Sequence, residues 1–178
     1  MSGDRDLYIC YNEYLNTYMK SFFILDCDEQ KKIADSLYGY FVGITANQKP
    51  NQFWTHLNRK QIKDYLSIPN LELTKWFDSL GLKIRDMSFT VTTDKIKTSP
   101  HIDEPPVIAK INFPVLNTER TYNVWFDEFG KEIDRVECLK PIVLRSNIMH
   151  TVEIDDSAVL PRIQFSFCFY NEPLHLLK

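Results

Sequence analysis

The pattern of apolar and polar positions along the chain changes near residue 81. Before that point, short apolar runs alternate with segments of helical periodicity. The run 21–25 (SFFIL) predicts a short strand, and the apolar positions within 31–37 predict a helix that Asp28 would cap. A second helical pattern spans 58–66. The first part of the chain is therefore expected to mix helices with short strands.

A third helix is expected between Asn70 and Gly81. Asparagine is a favoured N-cap residue, and glycine readily takes the left-handed conformation that follows the end of a helix. From Leu82 onward the pattern is that of strands. Six are expected, separated by turn-forming residues: 84–93, 107–116, 120–127, 141–146, 149–155 and 161–170.

Closely spaced strands without helices between them indicate an antiparallel barrel or sandwich. We expect a mainly β protein with flanking helices, in which residues 1–82 support a β-barrel core over residues 83–173. A length of 178 residues fits one domain with a sizeable core. The whole chain, 1–178, is accordingly expected to be a single domain.

Composition and charge narrow the possible functions. The formal net charge is -3, from 21 basic and 24 acidic residues, which gives no reason to expect binding to a nucleic-acid backbone. No apolar run approaches the roughly 18 residues that cross a bilayer, and the N-terminus lacks the pattern of a signal peptide. The four cysteines form no CxxC pair. Free thiols in a cytoplasmic protein are expected, with a Cys10–Cys27 bridge as the alternative.

His101 and Asp103 form the first candidate for chemistry. They occupy alternate positions in the segment SPHID (99–103), so on an extended chain both side chains point to the same face. On a helix the two side chains would point roughly 200° apart. Because Pro100 disfavours a helix here, an extended conformation with a shared metal ion is expected.

His150 supplies the third ligand that such a metal site needs, since an H-x-D pair alone is a weak signal. It alternates with polar positions along 149–155 and shares its face with apolar residues, so it should point into the barrel. Taken alone, a histidine on such a face is usually a structural residue of the core. Trp125, on another expected strand, is interpreted as a core residue, with stacking on a substrate as the alternative.

The strand over 161–170 has two chemically different faces. One face is aromatic and aliphatic, and the other carries Arg162, Gln164, Ser166 and Cys168. Either the polar row faces water, or it lines a cavity while the apolar row packs beneath the N-terminal helices. Periodicity does not separate these alternatives. An inward Arg162 would suit a dicarboxylate, because a guanidinium group matches a carboxylate with two parallel hydrogen bonds.

These residues resemble the motif of the Fe(II)/2-oxoglutarate-dependent oxygenases, especially the small prolyl- and asparaginyl-hydroxylase-like members. In that family an H-x-D/E pair is followed by a distal histidine and then by an arginine or lysine. Here the motif reads His101-Ile102-Asp103, then His150, then Arg162. The resemblance covers roughly residues 84–173. It implies a double-stranded β-helix, the cupin-like jelly-roll barrel.

The resemblance also implies a site. The three ligands would hold Fe(II) and leave three coordination positions open. Arg162 would pair with the far carboxylate of the co-substrate 2-oxoglutarate, and Lys110 is the alternative anchor. Three further residues are candidates for the co-substrate site: Asn112, Gln164 and Ser166. Many family members carry serine or threonine where this chain has Gln164.

The reaction that the resemblance implies is hydroxylation of an unactivated C–H bond. O2 and 2-oxoglutarate would be consumed and succinate and CO2 released. The substrate would be a peptidyl residue, a free amino acid or another small metabolite. Partners are thus expected to be small molecules or peptides.

Two other functions fit the same residues. The first is a cupin-like metalloenzyme that binds iron, zinc or manganese without a keto acid. The second is a jelly-roll binding module without redox chemistry, in which replacing His101 or His150 would change neither metal content nor ligand binding.

Overall fold

A computed structural model describes residues 20–46, 53–95, 98–103 and 107–177. Within these ranges the helices are α1 (Gln30–Thr45), α2 (Arg59–Leu66) and α3 (Glu72–Ser79). The strands are β1 (Phe22–Ile24), β2 (Phe53–His56), β3 (Ile84–Thr92), β4 (Ala109–Leu116), β5 (Thr121–Phe126), β6 (Glu132–Glu137), β7 (Ile142–Arg145), β8 (His150–Ile154) and β9 (Arg162–Phe169). A short 3-10 helix, Pro173–Leu176, follows β9. None of the helices in these ranges is long and apolar enough to cross a membrane.

The strands form two antiparallel sheets. The larger sheet has the order β1-β7-β4-β9-β3-β2, and the smaller one has the order β6-β5-β8. The chain passes between the sheets from β4 to β5 and from β6 to β7, and again on either side of β8. These repeated crossovers are the connections of a jelly roll. The predicted mainly β fold with flanking helices is confirmed.

The main hydrophobic core lies between the larger sheet and the helices. Phe167 and Phe169 on β9 both contact Phe77 on α3, with ring centroids 5.0 Å apart in each pair. Phe41 on α1 meets Phe89 on β3 edge to face, at 5.3 Å. Because side chains alternate along a strand, the polar row of β9 turns away from the helices, toward the smaller sheet. The structure thereby decides between the two alternatives for this strand.

The predicted N-cap of α1 is wrong by one residue. Glu29, rather than Asp28, occupies the N-cap position, and no side chain accepts a hydrogen bond there. The Gln30 N–H donates to the carbonyl of Cys27 at 3.1 Å, in a turn that precedes the first helical residue. This turn places the Asp28 carboxylate one position too early to cap α1.

The predicted N-cap of α3 is also wrong, whereas the predicted end of this helix is confirmed. Asn70 has a φ of 58°, in the left-handed region, while an N-cap residue needs an extended backbone. Leu71 is the N-cap instead. At the other end Gly81 has a φ of 69°, and the N–H of the next residue, Leu82, donates to the Phe77 carbonyl at 2.9 Å.

Two edge strands do not follow from the sequence pattern. In β6, Ile133 and Val136 are three residues apart, which breaks the two-residue alternation of a half-buried strand. β6 is an edge strand of the smaller sheet and is largely exposed, so it needs no continuous apolar face. β2 likewise extends one edge of the larger sheet.

The cysteines of the described ranges, Cys27, Cys138 and Cys168, are free thiols. The alternative Cys10–Cys27 bridge involves Cys10, which lies outside the described residues.

Replacing Phe167 by alanine is expected to lower the free energy of unfolding by about 3–5 kcal/mol, because it empties the space between β9 and α3. Urea unfolding of the metal-free protein, followed by circular dichroism, measures this loss. The control is Tyr170→Ala, since Tyr170 is 75% exposed, and a change of less than about 0.5 kcal/mol is expected there. Equal losses for the two variants would contradict this placement of the core.

Candidate metal centre and anion site

His101, Asp103 and His150 meet at one edge of the smaller sheet. His101 and His150 form an antiparallel bridge, in which each backbone N–H donates to the other residue's carbonyl at 2.9 Å. The Asp103 N–H donates to the Ser146 carbonyl, also at 2.9 Å. This backbone pairing keeps the H-x-D segment extended, so the His101 and Asp103 side chains reach His150 from the same face. The expected convergence of the three side chains is present.

The ligand atoms of these three residues lie within 4.8 Å of one another. Asp103 Oδ1 is 3.7 Å from His101 Nε2 and 3.9 Å from His150 Nε2. Neighbouring ligands about 2.1 Å from an octahedral ion lie about 3 Å apart. Closures of roughly 1–2 Å by side-chain rotation would thus bring these atoms to the spacing of ligands around one ion. The group fits one divalent metal ion.

Both imidazoles are oriented by their own backbone. His101 Nδ1 lies 3.0 Å from the Ser99 carbonyl oxygen, and His150 Nδ1 lies 2.8 Å from the Ile148 carbonyl oxygen. A carbonyl oxygen only accepts hydrogen bonds, so Nδ1 must carry the proton in each ring. The lone pair of Nε2 is left for a metal, which is the arrangement usual for metal-ligating histidines.

His150 is prepared to act as a neutral ligand. Its burial, followed by the nearby positive charge of Lys110, lowers its pKa from the usual 6.5 to about 4. The ring is therefore unprotonated at neutral pH. A metal ion would not have to displace a proton from it.

Lys110, the alternative anchor for 2-oxoglutarate, contacts Asp103 of the candidate metal site. Its Nζ donates to Asp103 Oδ2, while the other oxygen, Oδ1, is the one near the histidines. The side chains of Lys110 and Asp103 are only 17% and 22% exposed. Ile111, next to Lys110 on β4, pairs with Phe167 near the end of β9, whereas Arg162 begins that strand. Lys110 is thus next to the last residues of β9, whereas Arg162 is the first residue of that strand.

Arg162 is a buried cation, with an exposed fraction of 1%. Its Nε donates to Thr121 Oγ1 at 3.1 Å, and its Nη2 contacts Gln164 Oε1 and lies 3.6 Å from Cys138 Sγ. Among the described residues, none of its partners is a carboxylate. A buried charge without a counter-ion is costly, so this position favours an anionic ligand.

Of the remaining candidates, Gln164 and Ser166 belong to the polar row of β9, and Asn112 lies beside it on β4. Gln164 accepts from Arg162 and is 5% exposed. Ser166 pairs with Asn112 in the β4–β9 register, and its hydroxyl donates to Asn112 Oδ1 at 2.7 Å. These residues therefore lie along the barrel interior between Arg162 and the candidate metal ligands.

Thr121 and Cys138 were not among the residues expected at the anion site. Thr121 begins β5, four positions before Trp125, so the alternation of β5 could have placed it on the inner face. Cys138 follows β6, which the sequence pattern does not predict, and nothing local connects it with Arg162.

Trp125 is the core residue that was expected. It is fully buried, pairs with His150 in the β5–β8 register, and stacks on Phe22 with the ring centroids 5.2 Å apart. Its Nε1 donates to the Arg145 carbonyl at 3.2 Å. This packing supports the metal centre from inside the barrel.

The lowered pKa of His150 predicts how stability depends on pH. The unfolded chain binds the proton near pH 6.5, before the folded chain does, so acidification from pH 6.5 toward pH 4 favours unfolding. The expected loss is about 3 kcal/mol, and it is fully recovered above pH 6.5. Urea unfolding of the metal-free protein at pH 7 and pH 4 measures it.

The variants for this test are His150→Leu and the exposed His175→Leu. His150→Leu should lose about 3 kcal/mol of this pH dependence relative to the natural chain, whereas His175→Leu should keep it. The same pH dependence in all three proteins would contradict a neutral, buried His150.

No protein-family model matches the chain, and no curated protein sequence does. Solved structures do resemble it. The 2-oxoglutarate-dependent epimerase SnoN from nogalamycin biosynthesis has a TM-score of 0.57 at 10% identity, over 92% of this chain and 84% of its own. HygX from Streptomyces hygroscopicus, solved with nickel and 2-oxoglutarate bound, gives 0.57 at 10% identity, over 94% and 86%.

A prolyl-4-hydroxylase from Pseudomonas putida is also similar. Its TM-score is 0.54 at 11% identity, over 86% of this chain and 93% of its own. At such identities the similarity is one of fold, and it confirms the predicted jelly roll. The chain therefore has the jelly-roll fold of the 2-oxoglutarate-dependent oxygenases.

Proposed function

We propose that this protein is an Fe(II)- and 2-oxoglutarate-dependent dioxygenase that hydroxylates a C–H bond. The observation that carries the proposal is the presence of two complementary sites inside one barrel. One is a group of two histidines and one carboxylate, and the other is a buried guanidinium group without a carboxylate partner among the described residues. Neither site alone requires a keto acid, but together they match a ligand that chelates a metal and also carries a distant carboxylate.

Each residue of the proposed site would have its own binding role. His101, Asp103 and His150 would hold Fe(II) through Nε2, Oδ1 and Nε2. Arg162 would bind the far carboxylate of 2-oxoglutarate, held in place by Thr121 and Gln164. When bound, iron and the keto acid supply oxidation by O2, with succinate and CO2 as co-products.

The barrel itself contributes orientation and exclusion of water. His150 lies at the buried side of the metal centre, with its side chain 5% exposed, whereas that of His101 is 46% exposed. A substrate would therefore approach from the side of His101. Trp125 closes the interior behind His150, which keeps solvent away from that side.

We further propose that the substrate is a peptidyl residue, an amino acid or another small metabolite, and that the enzyme works in the cytoplasm. The similarity to a prolyl hydroxylase supports a peptide or amino-acid side chain. The chain's negative net charge gives no support to a nucleic-acid substrate. Free thiols such as Cys138 support a reducing compartment.

The proposal is tested by an anaerobic titration with Fe(II) and then 2-oxoglutarate. Chelation of iron by the keto acid is expected to produce a visible charge-transfer band. His101→Ala and His150→Ala should abolish this band, because each removes one of three metal ligands, while the exposed His175→Ala should retain it. Natural protein that binds iron but shows no band with 2-oxoglutarate would count against the co-substrate.

Arg162→Met removes the buried positive charge that would pair with the far carboxylate of 2-oxoglutarate. The variant is therefore expected to bind 2-oxoglutarate roughly 100-fold more weakly and to keep its metal affinity within about threefold. Isothermal titration with 2-oxoglutarate at saturating Ni(II) measures the first value, and titration with Ni(II) alone measures the second. Arg162→Lys keeps the charge without the planar fork, so an intermediate loss is expected.

The control for this series is Arg59→Met, since Arg59 is exposed on α2. If Arg162→Met and Arg59→Met bind 2-oxoglutarate equally well, Arg162 is not the anchor. A metal enzyme that does not use a keto acid would show no measurable 2-oxoglutarate binding in any of these proteins.

A further inference from the structure

Lys110 places a positive charge beside the metal centre. Its Nζ contacts Asp103 Oδ2, and the other carboxylate oxygen, Oδ1, faces the two histidines. A metal bound at Oδ1 would leave the contact between Lys110 and Oδ2 in place. The ammonium group and the metal ion would then share one carboxylate.

The charge of Lys110 acts at the place where the metal would bind. Asp103 Oδ1 lies 3.7 Å from His101 Nε2 and 3.9 Å from His150 Nε2, so the ammonium group is separated from these ligand atoms by a single carboxylate. A positive charge at this position disfavours a divalent cation bound to these atoms. Because the Lys110 and Asp103 side chains are mostly shielded from water, the field is only partly screened.

The ion pair between Lys110 and Asp103 sets the net charge of the candidate metal site. As metal ligands the two histidines would add no charge, and the carboxylate charge of Asp103 is balanced by that of Lys110. A bound divalent ion would therefore keep an excess of two positive charges. The chelating carboxylate of 2-oxoglutarate would cancel one of these two charges when it joined the metal, while its far carboxylate would pair with Arg162.

We infer that Lys110 couples the two binding steps: its ammonium group weakens binding of the metal alone and strengthens binding of the anionic co-substrate to the metal-loaded centre. This inference rests on the proposed function. It gives Lys110 a role distinct from that of Arg162, which lies at the other end of β9 and would bind the far carboxylate. Coupling of this kind is reciprocal, so the keto acid also tightens the metal.

Two other roles for Lys110 predict different results. A lysine that only orients Asp103 would strengthen metal binding, so its removal would weaken the metal and spare the keto acid. A lysine that only balances the net charge of the protein would be replaceable by a charge elsewhere.

The test is isothermal titration of the full-length protein with Ni(II), and of the Ni(II)-saturated protein with 2-oxoglutarate. Lys110→Met removes the charge but keeps the length of the side chain. It is expected to bind Ni(II) alone about tenfold more tightly and to bind 2-oxoglutarate at saturating Ni(II) about tenfold more weakly. The product of the two dissociation constants should change little. Lys110→Arg should stay close to the natural protein in both titrations.

The matched control is Lys31→Met, which removes the same charge from α1, where the Lys31 side chain is 89% exposed. Both of its affinities should equal those of the natural protein. Thermal unfolding shows whether each variant is folded, and Lys110→Gln provides a second neutral variant.

The inference is overturned if neutral variants at position 110 bind Ni(II) more weakly, or if both affinities stay unchanged. It is also overturned if Lys31→Met reproduces the effect. Failure of the proposed function itself looks different, because the natural protein would then show no Ni(II) binding that depends on His150, or no binding of 2-oxoglutarate to the Ni(II)-loaded protein.

Discussion

The pair of backbone hydrogen bonds between His101 and His150 is the interaction on which the rest of the site depends. Residues 98–103 lie outside the named strands, and this bridge joins them to the edge of the smaller sheet. The bridge orders a segment that carries two of the three candidate metal ligands. Without it, residues 98–103 would have no fixed register relative to His150. The His101 and Asp103 side chains would still point to one face of their segment, but that face would not be held next to His150.

The two faces of the larger sheet serve different purposes. The outer face is aromatic and packs beneath the helices, where it supplies the stability of the fold. The inner face is polar along β9, from Arg162 to Ser166, and it faces the smaller sheet. The helices thus have an indirect function. By covering the apolar face with α1 and α3, they leave the polar face free to line the barrel interior.

The charges in the described part of the barrel interior are not fully balanced, and this imbalance suits a metal with an anionic ligand. His150 is neutral because it is buried, Asp103 is paired with Lys110, and Arg162 has no carboxylate partner among the described residues. An unpaired buried cation costs free energy that an anionic ligand would recover on binding. Part of the fold's stability would thereby be exchanged for binding of an anion, as is common at functional sites.

The sequence by itself determined the strand-rich core, most strand positions and the three metal-ligand candidates, because these depend on local alternation and on residue chemistry. The ends of α1 and α3 were less accurate, since the turn at Cys27 and the left-handed Asn70 depend on local backbone geometry that composition does not reveal.

Only the tertiary structure decided which face of β9 is inside, that Lys110 pairs with Asp103, and that Thr121 and Cys138 surround Arg162. Each of these contacts joins residues from different strands or from the segments beside them. Their distances are set by sheet order and register, which no local pattern of residues encodes.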